Sequence, residues 1–123
     1  MPVARSADDP TFDLSGNTIR AFASPSRGAT ETIMYRIDLP AGGALPSHRH
    51  DHEEVLHVLS GAVTSVLGGE EHSVRAGDTV MIPAETVHHA VAGDEAVVLL
   101  VAMPVGTLFI RAEEAGAIPP WGR

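Results

Sequence analysis

The chain has 123 residues, a formal charge of −8 and neither cysteine nor lysine; its eight basic residues are all arginine. That length suits one domain with a core of its own. The composition removes Schiff-base lysines, thiol nucleophiles, thiolate ligands and disulfides together, so histidine and carboxylate remain as the strong metal ligands. The acidic balance argues against nucleic acid and against an anionic membrane surface, whose binders carry basic patches.

In chain order, the N-terminus lacks the apolar core of a signal peptide, and the longest apolar run, residues 96–103, is too short to span a bilayer. A soluble, cytoplasmic protein is therefore expected. Residues 1–17 are polar and turn-rich around Phe12 and read as an N-terminal arm that docks late or not at all. A single β domain is expected over residues 18–110, followed by a tail over 111–123 that ends Pro119-Pro120-Trp121. Segments 18–23 and 30–39 read as strands. In the second, Ile33, Tyr35, Ile37 and Leu39 alternate with Thr32, Met34, Arg36 and Asp38, and the odd-numbered face should be buried. Residues 54–59 are apolar on both parities, which predicts a strand covered on both faces, the second cover being another subunit of a homodimer. Segments 62–67, 71–75, 79–82, 87–91, 96–103 and 107–110 complete a series of short strands separated by glycine turns. This is the pattern of an antiparallel sandwich or barrel.

All seven histidines fall between residues 48 and 89. The densest stretch, His-Arg-His-Asp-His-Glu-Glu, runs from His48 to Glu54. Histidines at i and i+2 on an extended strand share a side, roughly 6.5 to 7 Å apart at the backbone, so their imidazoles can converge on one ion. If the strand continues, Glu54 keeps that parity and adds an anionic oxygen to two neutral nitrogens. His52 shares the parity too and is either a spare, substrate-facing imidazole or an exposed loop residue. His57 and His89 have the opposite parity to their neighbours and should face outward, and His72 beside a hairpin turn should be solvated.

The stretch Gly42-x5-His48-x-His50-x3-Glu54-x6-Gly61 resembles the first motif of the cupin superfamily at every defining position. Gly77-x5-Pro83 followed by His88 resembles the second, with two departures: Glu85 stands where a glycine is usual and Ala92 where an asparagine is usual. The resemblance implies an all-β double-stranded β-helix, or jelly-roll barrel, holding a metal through His48, His50, Glu54 and His88. Buried without a metal, three imidazoles and a carboxylate in apolar surroundings would be costly unless paired. The Glu85 departure bears on the loop before His88, and Ala92 removes a polar group that could support the site.

Nitrogen and carboxylate ligands suit a divalent transition metal, Fe, Mn, Ni, Co or Zn. Four protein ligands on an octahedral ion would leave two positions for a small oxygen-bearing substrate, or for one substrate atom and dioxygen. Similar small cupins include oxygenases, isomerases, cyclases, lyases and decarboxylases, and fold alone does not choose among them. The leading expectation is a metal-dependent dioxygenase, with an isomerase, cyclase or decarboxylase as alternatives, and, from another class, a non-catalytic small-ligand binder with a structural or sensing metal. Glu54, Tyr35 and His52 are the candidate catalytic groups, with Arg36 and Arg49 as further polar candidates by position. Because imidazoles must be neutral to bind, metal affinity is expected to fall as pH drops through roughly 6 to 5.

Overall fold

A computed structural model describes residues 3–123 of the chain, and among these residues ten strands form two antiparallel sheets. The strands are β1 (Thr11–Leu14), β2 (Asn17–Ala23), β3 (Thr32–Leu39), β4 (Ala44–His48), β5 (Glu54–Ser60), β6 (Ala62–Leu67), β7 (Glu70–Arg75), β8 (Thr79–Ile82), β9 (His88–Ala92) and β10 (Val97–Pro104). One sheet has the order β1-β2-β3-β10-β5-β8 and the other β4-β9-β6-β7. The architecture is the expected all-β barrel.

Period-two patterning decides which side of each strand faces inward. On β3, Ile33, Tyr35, Ile37 and Leu39 are buried, and on β10 the same holds for Val97, Leu99, Val101 and Met103. β10 lies between β3 and β5, where Leu99 is flanked by Ile37 and Val58, and Val101 by Tyr35 and Leu56. Each fully buried side chain of this kind contributes about 1.5–3 kcal/mol relative to exposure. Gly61 makes the β5–β6 connection at φ 79°, and any Cβ there would run into the Ala96 carbonyl. No other residue fits that position without a backbone shift.

Two local expectations change. Residues 11–14, read as part of an arm that docks late or not at all, form β1 and pair with β2, with Phe12 opposite Ile19 and Leu14 opposite Asn17. The reason is a two-residue hairpin at Ser15 (φ 53°) and Gly16 (φ 88°), the left-handed pair that suits a tight turn between twisted strands. Asn17 then donates to the carbonyls of Leu14 and Ala44 at 2.9 and 2.8 Å, tying this hairpin to the start of β4. Within the single chain β5 buries one face, and Val55 and Leu59 on the other, for which a second subunit is the expected cover, are 36% and 48% exposed. Residues 107–110 make isolated bridges instead of a strand, Arg49 with Ile110 and Phe109 with Ala117. The tail beyond them packs inward, with Trp121 6% exposed inside a short 3-10 turn. Among the described residues no helix is long and apolar enough to cross a membrane.

Candidate metal centre

His48 closes β4 and His88 opens β9, and the two stand directly opposite in the antiparallel register. His50 lies two residues beyond His48, with Arg49 between them turned outward while its backbone bridges Ile110 through N–H and C=O bonds of 2.9 and 3.0 Å. The i, i+2 spacing therefore places both imidazoles inside. Glu54 arrives differently. Residues 51–53 form a bend and not the continuous strand that parity assumed, and Glu54 is the first residue of β5 in the opposite sheet. It meets the histidines because the two sheets face each other. At the bend His52 is exposed, its Nδ1 3.0 Å from Asp51 Oδ1, and it stands outside the cluster.

His48, His50, Glu54 and His88 are all buried, and one potential ligand atom from each lies within 4.8 Å of the others. Each imidazole is oriented from behind: Nδ1 of His48 donates to the Pro46 carbonyl at 2.7 Å, that of His50 to Leu108 at 2.8 Å and that of His88 to Thr86 at 2.8 Å. With Nδ1 committed as donor, Nε2 of a neutral ring is a lone pair. Glu54 Oε1 lies 3.1 Å from His50 Nε2 and 3.2 Å from His88 Nε2. Neither contact has hydrogen-bond geometry, so these three buried atoms face one another without a partner. Lone pairs at such a distance repel unless a cation or a proton lies among them, and buried polar atoms rarely stay unpaired. The donor set fits a divalent transition metal, and backbone carbonyls that hold each ligand ring in one tautomer from behind are characteristic of such sites.

Burial works against charge on His48 and, reinforced by the neighbouring His88, holds its pKa down at about 3. Burial alone would push Glu54 up, but His50 and His88 outweigh it and hold the carboxyl at about 2. Burial also pulls His88 down, yet the adjacent Glu54 carboxylate prevails and the net direction is upward. In the metal-free protein a proton on His88 is thus the natural substitute for a cation. Tyr35 is held well above its ordinary value by burial and then by Glu54, so its hydroxyl stays neutral.

Tyr35 lines the same cavity as the cluster, with Ser65, Ile37, Leu56, Phe109 and Trp121 among the other walls. Its volume is ≈ 20 Å³, room for about one water. Arg36 faces outward in a bidentate pair with Asp38 (2.6 and 2.9 Å). Arg49 reaches Glu85 at 3.0 Å and the Ala112 carbonyl at 3.1 Å, away from the cavity. His89, expected outside, is half-buried and borders the cavity because it directly follows His88. Sequence reasoning missed Phe109 and Trp121. Phe109 stacks on His48 at 4.2 Å and 15°, while Trp121 packs on Phe109, Tyr35 and Phe12 at 6.0–6.3 Å. The available signal was scarcity: of five aromatic residues in the chain, four meet here.

Comparison with known proteins agrees with this architecture. An uncharacterized protein of Methanocaldococcus jannaschii is 30% identical over 82 residues, 64% of this chain and 65% of that protein, so the chain spans just under two thirds of that relative's length. Among solved structures, the polyketide cyclase RemF from Streptomyces resistomycificus superposes with a TM-score of 0.78 at 23% identity, covering 98% of this chain and 90% of that one. An RmlC-like cupin from Shewanella frigidimarina gives 0.73 at 19% identity over 85% of this chain and 90% of that one. At these identities the structural likeness concerns the fold. The family described as the Cupin domain matches residues 35–103, and the chain therefore belongs to the cupin family.

Proposed function

We propose that His48, His50, Glu54 and His88 hold one divalent transition metal, and that the chain is an enzyme acting at that site on a small oxygen-bearing substrate, with a dioxygenase reaction as the leading reading. The observation that carries the metal assignment is the meeting of unpartnered Nε2 and carboxylate atoms whose histidines are each turned inward by a backbone carbonyl. An ion bound there supplies Lewis acidity or, if redox-active, dioxygen activation. The chain supplies the rest. Glu54 brings negative charge into the cluster, Tyr35 offers a neutral hydroxyl as donor to a substrate oxygen, and the apolar walls exclude water. Elemental analysis of tag-free protein, purified without added metal or chelator, tests the assignment: stoichiometric transition metal supports it, and no metal with none taken up on titration overturns it. Oxygen uptake by the Fe(II)-loaded protein with catechols, β-diketones and flavonols tests the reaction, and silence across that panel would turn attention to redox-neutral isomerisation or cyclisation.

A second reading, a metal that merely ties the two sheets in a non-catalytic binder, is favoured by the cavity's ≈ 20 Å³. Metal-loaded protein that binds no organic ligand at all would support it. The partner we propose is a second copy of the chain. Met34, Ala102, Val55 and Met81 form one row across β3, β10, β5 and β8, and Met34, Val55 and Met81 are 37%, 36% and 60% exposed. Light scattering showing a monomer at micromolar concentration would remove this proposal.

A further inference from the structure

One layer of aromatic rings separates the cluster from the surface. Inside it lies the cavity of ≈ 20 Å³. Outside it a groove of ≈ 450 Å³ runs along the C-terminal segment, within the size range of small-molecule sites. Leu14, Phe109 and Trp121 line both spaces. Phe109 is the member that touches the cluster, flat against His48 at 4.2 Å and edge-on to His50 at 5.8 Å. The backbone carrying it is firmly tied: Leu108 N–H donates to Asp51 Oδ1 at 2.8 Å, the Leu108 carbonyl accepts from His50, and Ile110 pairs with Arg49 through both backbone groups. The obstruction is therefore the half-buried ring itself, with open groove beside it, and a side-chain rotation breaks none of these bonds. The position the ring occupies is faced by the His48 imidazole and by the Arg111 guanidinium, 5.4 Å from the ring centroid. Both groups favour a flat π-system.

We infer that Phe109 is a specificity-determining residue. In its stacked position it admits only ligands about as small as water or a triatomic anion. A flat, conjugated oxygen donor reaches the cluster from the outer groove by replacing the Phe109 ring against His48. The inference rests on reading the cluster as a metal site, and it removes the conflict between a small cavity and an organic substrate.

The test compares the wild type with Phe109→Ala and Phe109→Leu, the latter keeping apolar bulk in case the former folds poorly. In cobalt(II)-loaded protein, the visible bands are titrated with azide and with tropolone, and gel filtration confirms that the metal stays on the protein. Azide should bind all three alike, whereas tropolone should bind Phe109→Ala about tenfold or more tighter than wild type, with Phe109→Leu between them. An azide-to-tropolone ratio identical in the three proteins would overturn the inference. In metal-free protein, tropolone quenching of Trp121, the single tryptophan, gives an independent reading. Quenching should set in at lower tropolone concentration in Phe109→Ala. Failure to take up cobalt with a clear quenching difference would remove the metal assignment and keep the gate. Cobalt uptake with no difference in either titration would do the reverse.

Discussion

His88 and Phe109 reach the same few ångströms of space by different routes. His88 sits in β9, which pairs residue for residue with β6 from Val63 opposite Ala92 to Leu67 opposite His88, and it faces His48 across an irregularity in the β4–β9 pairing. Phe109 arrives on a segment whose β contacts are two isolated bridges, and its place follows from individual contacts: a ring on His48, a carbonyl next door on His50, a tryptophan behind. A site can thus take its donors from periodic structure and its cover from irregular structure. The two should respond separately to mutation.

The largest expected separation is in metal content. His50→Ala or His88→Ala should lower metal affinity by more than about a hundredfold, while His72→Ala on the exposed β7 should leave it unchanged, as measured by metal analysis after dialysis. Equal loss in His50→Ala and His72→Ala would mean that the clustered donors have no special role. Trp121→Ala should do the opposite: about 3–5 kcal/mol of stability lost in urea denaturation, from emptying a buried aromatic site, with metal still bound. Metal lost together with stability would fuse the two regions into one unit.

The pH dependence sharpens the comparison on the donor side. Metal requires a neutral His88, whose pKa in the metal-free fold is raised, burial being outweighed by Glu54. As pH falls through that raised value the protein takes up a proton that metal must displace, so apparent affinity declines, by up to about tenfold per pH unit for one proton. His48, held at about 3, and Glu54, held at about 2, add no competition until far lower pH. The decline should therefore begin above pH 6.5, higher than histidine counting alone suggested, and a titration of metal affinity from pH 8 to 5 measures it. Retention unchanged at pH 4.5 would reject this set of donors. The smallest effect is expected at Glu85, which holds a left-handed φ of 67° where the resemblance led one to expect glycine. The turn forms nonetheless, with the Glu85 N–H on the His50 carbonyl at 2.7 Å and the side chain on Arg49. Glu85→Gly removes strain of roughly 1–2 kcal/mol and an exposed ion pair worth under about 1, so thermal unfolding should shift little and, on balance, upward.

The barrel and the convergence of four donors were legible because they rest on repeating features: alternation on β3, glycine turns and the spacing of His48, His50, Glu54 and His88. The parity argument for Glu54 reached the right place by the wrong path, since a bend and a change of sheet separate it from His50. His52, inside that bend, takes the exposed-loop alternative of the two that parity left open. β1 was missed although Ser15-Gly16 carried a hairpin signal, because four residues give little period to read. The cover was barely legible, the scarcity of aromatic residues being its one signal. Nothing in local propensity says that Trp121 returns to Tyr35, 86 positions earlier in the chain.

Every strand of the barrel precedes the segment that covers its mouth. Synthesis proceeds from the N-terminus, so the strands emerge before the segment that covers them. His48, Glu54 and His88 can meet while residues 105–121 are still undocked and the mouth stands open, and only the orientation of His50, held by the Leu108 carbonyl, waits for that segment. Acquisition of an ion and admission of an organic molecule then become separable events in the life of the chain: an ion can enter before the cover has docked, whereas an organic molecule that arrives afterwards must turn the aromatic door aside.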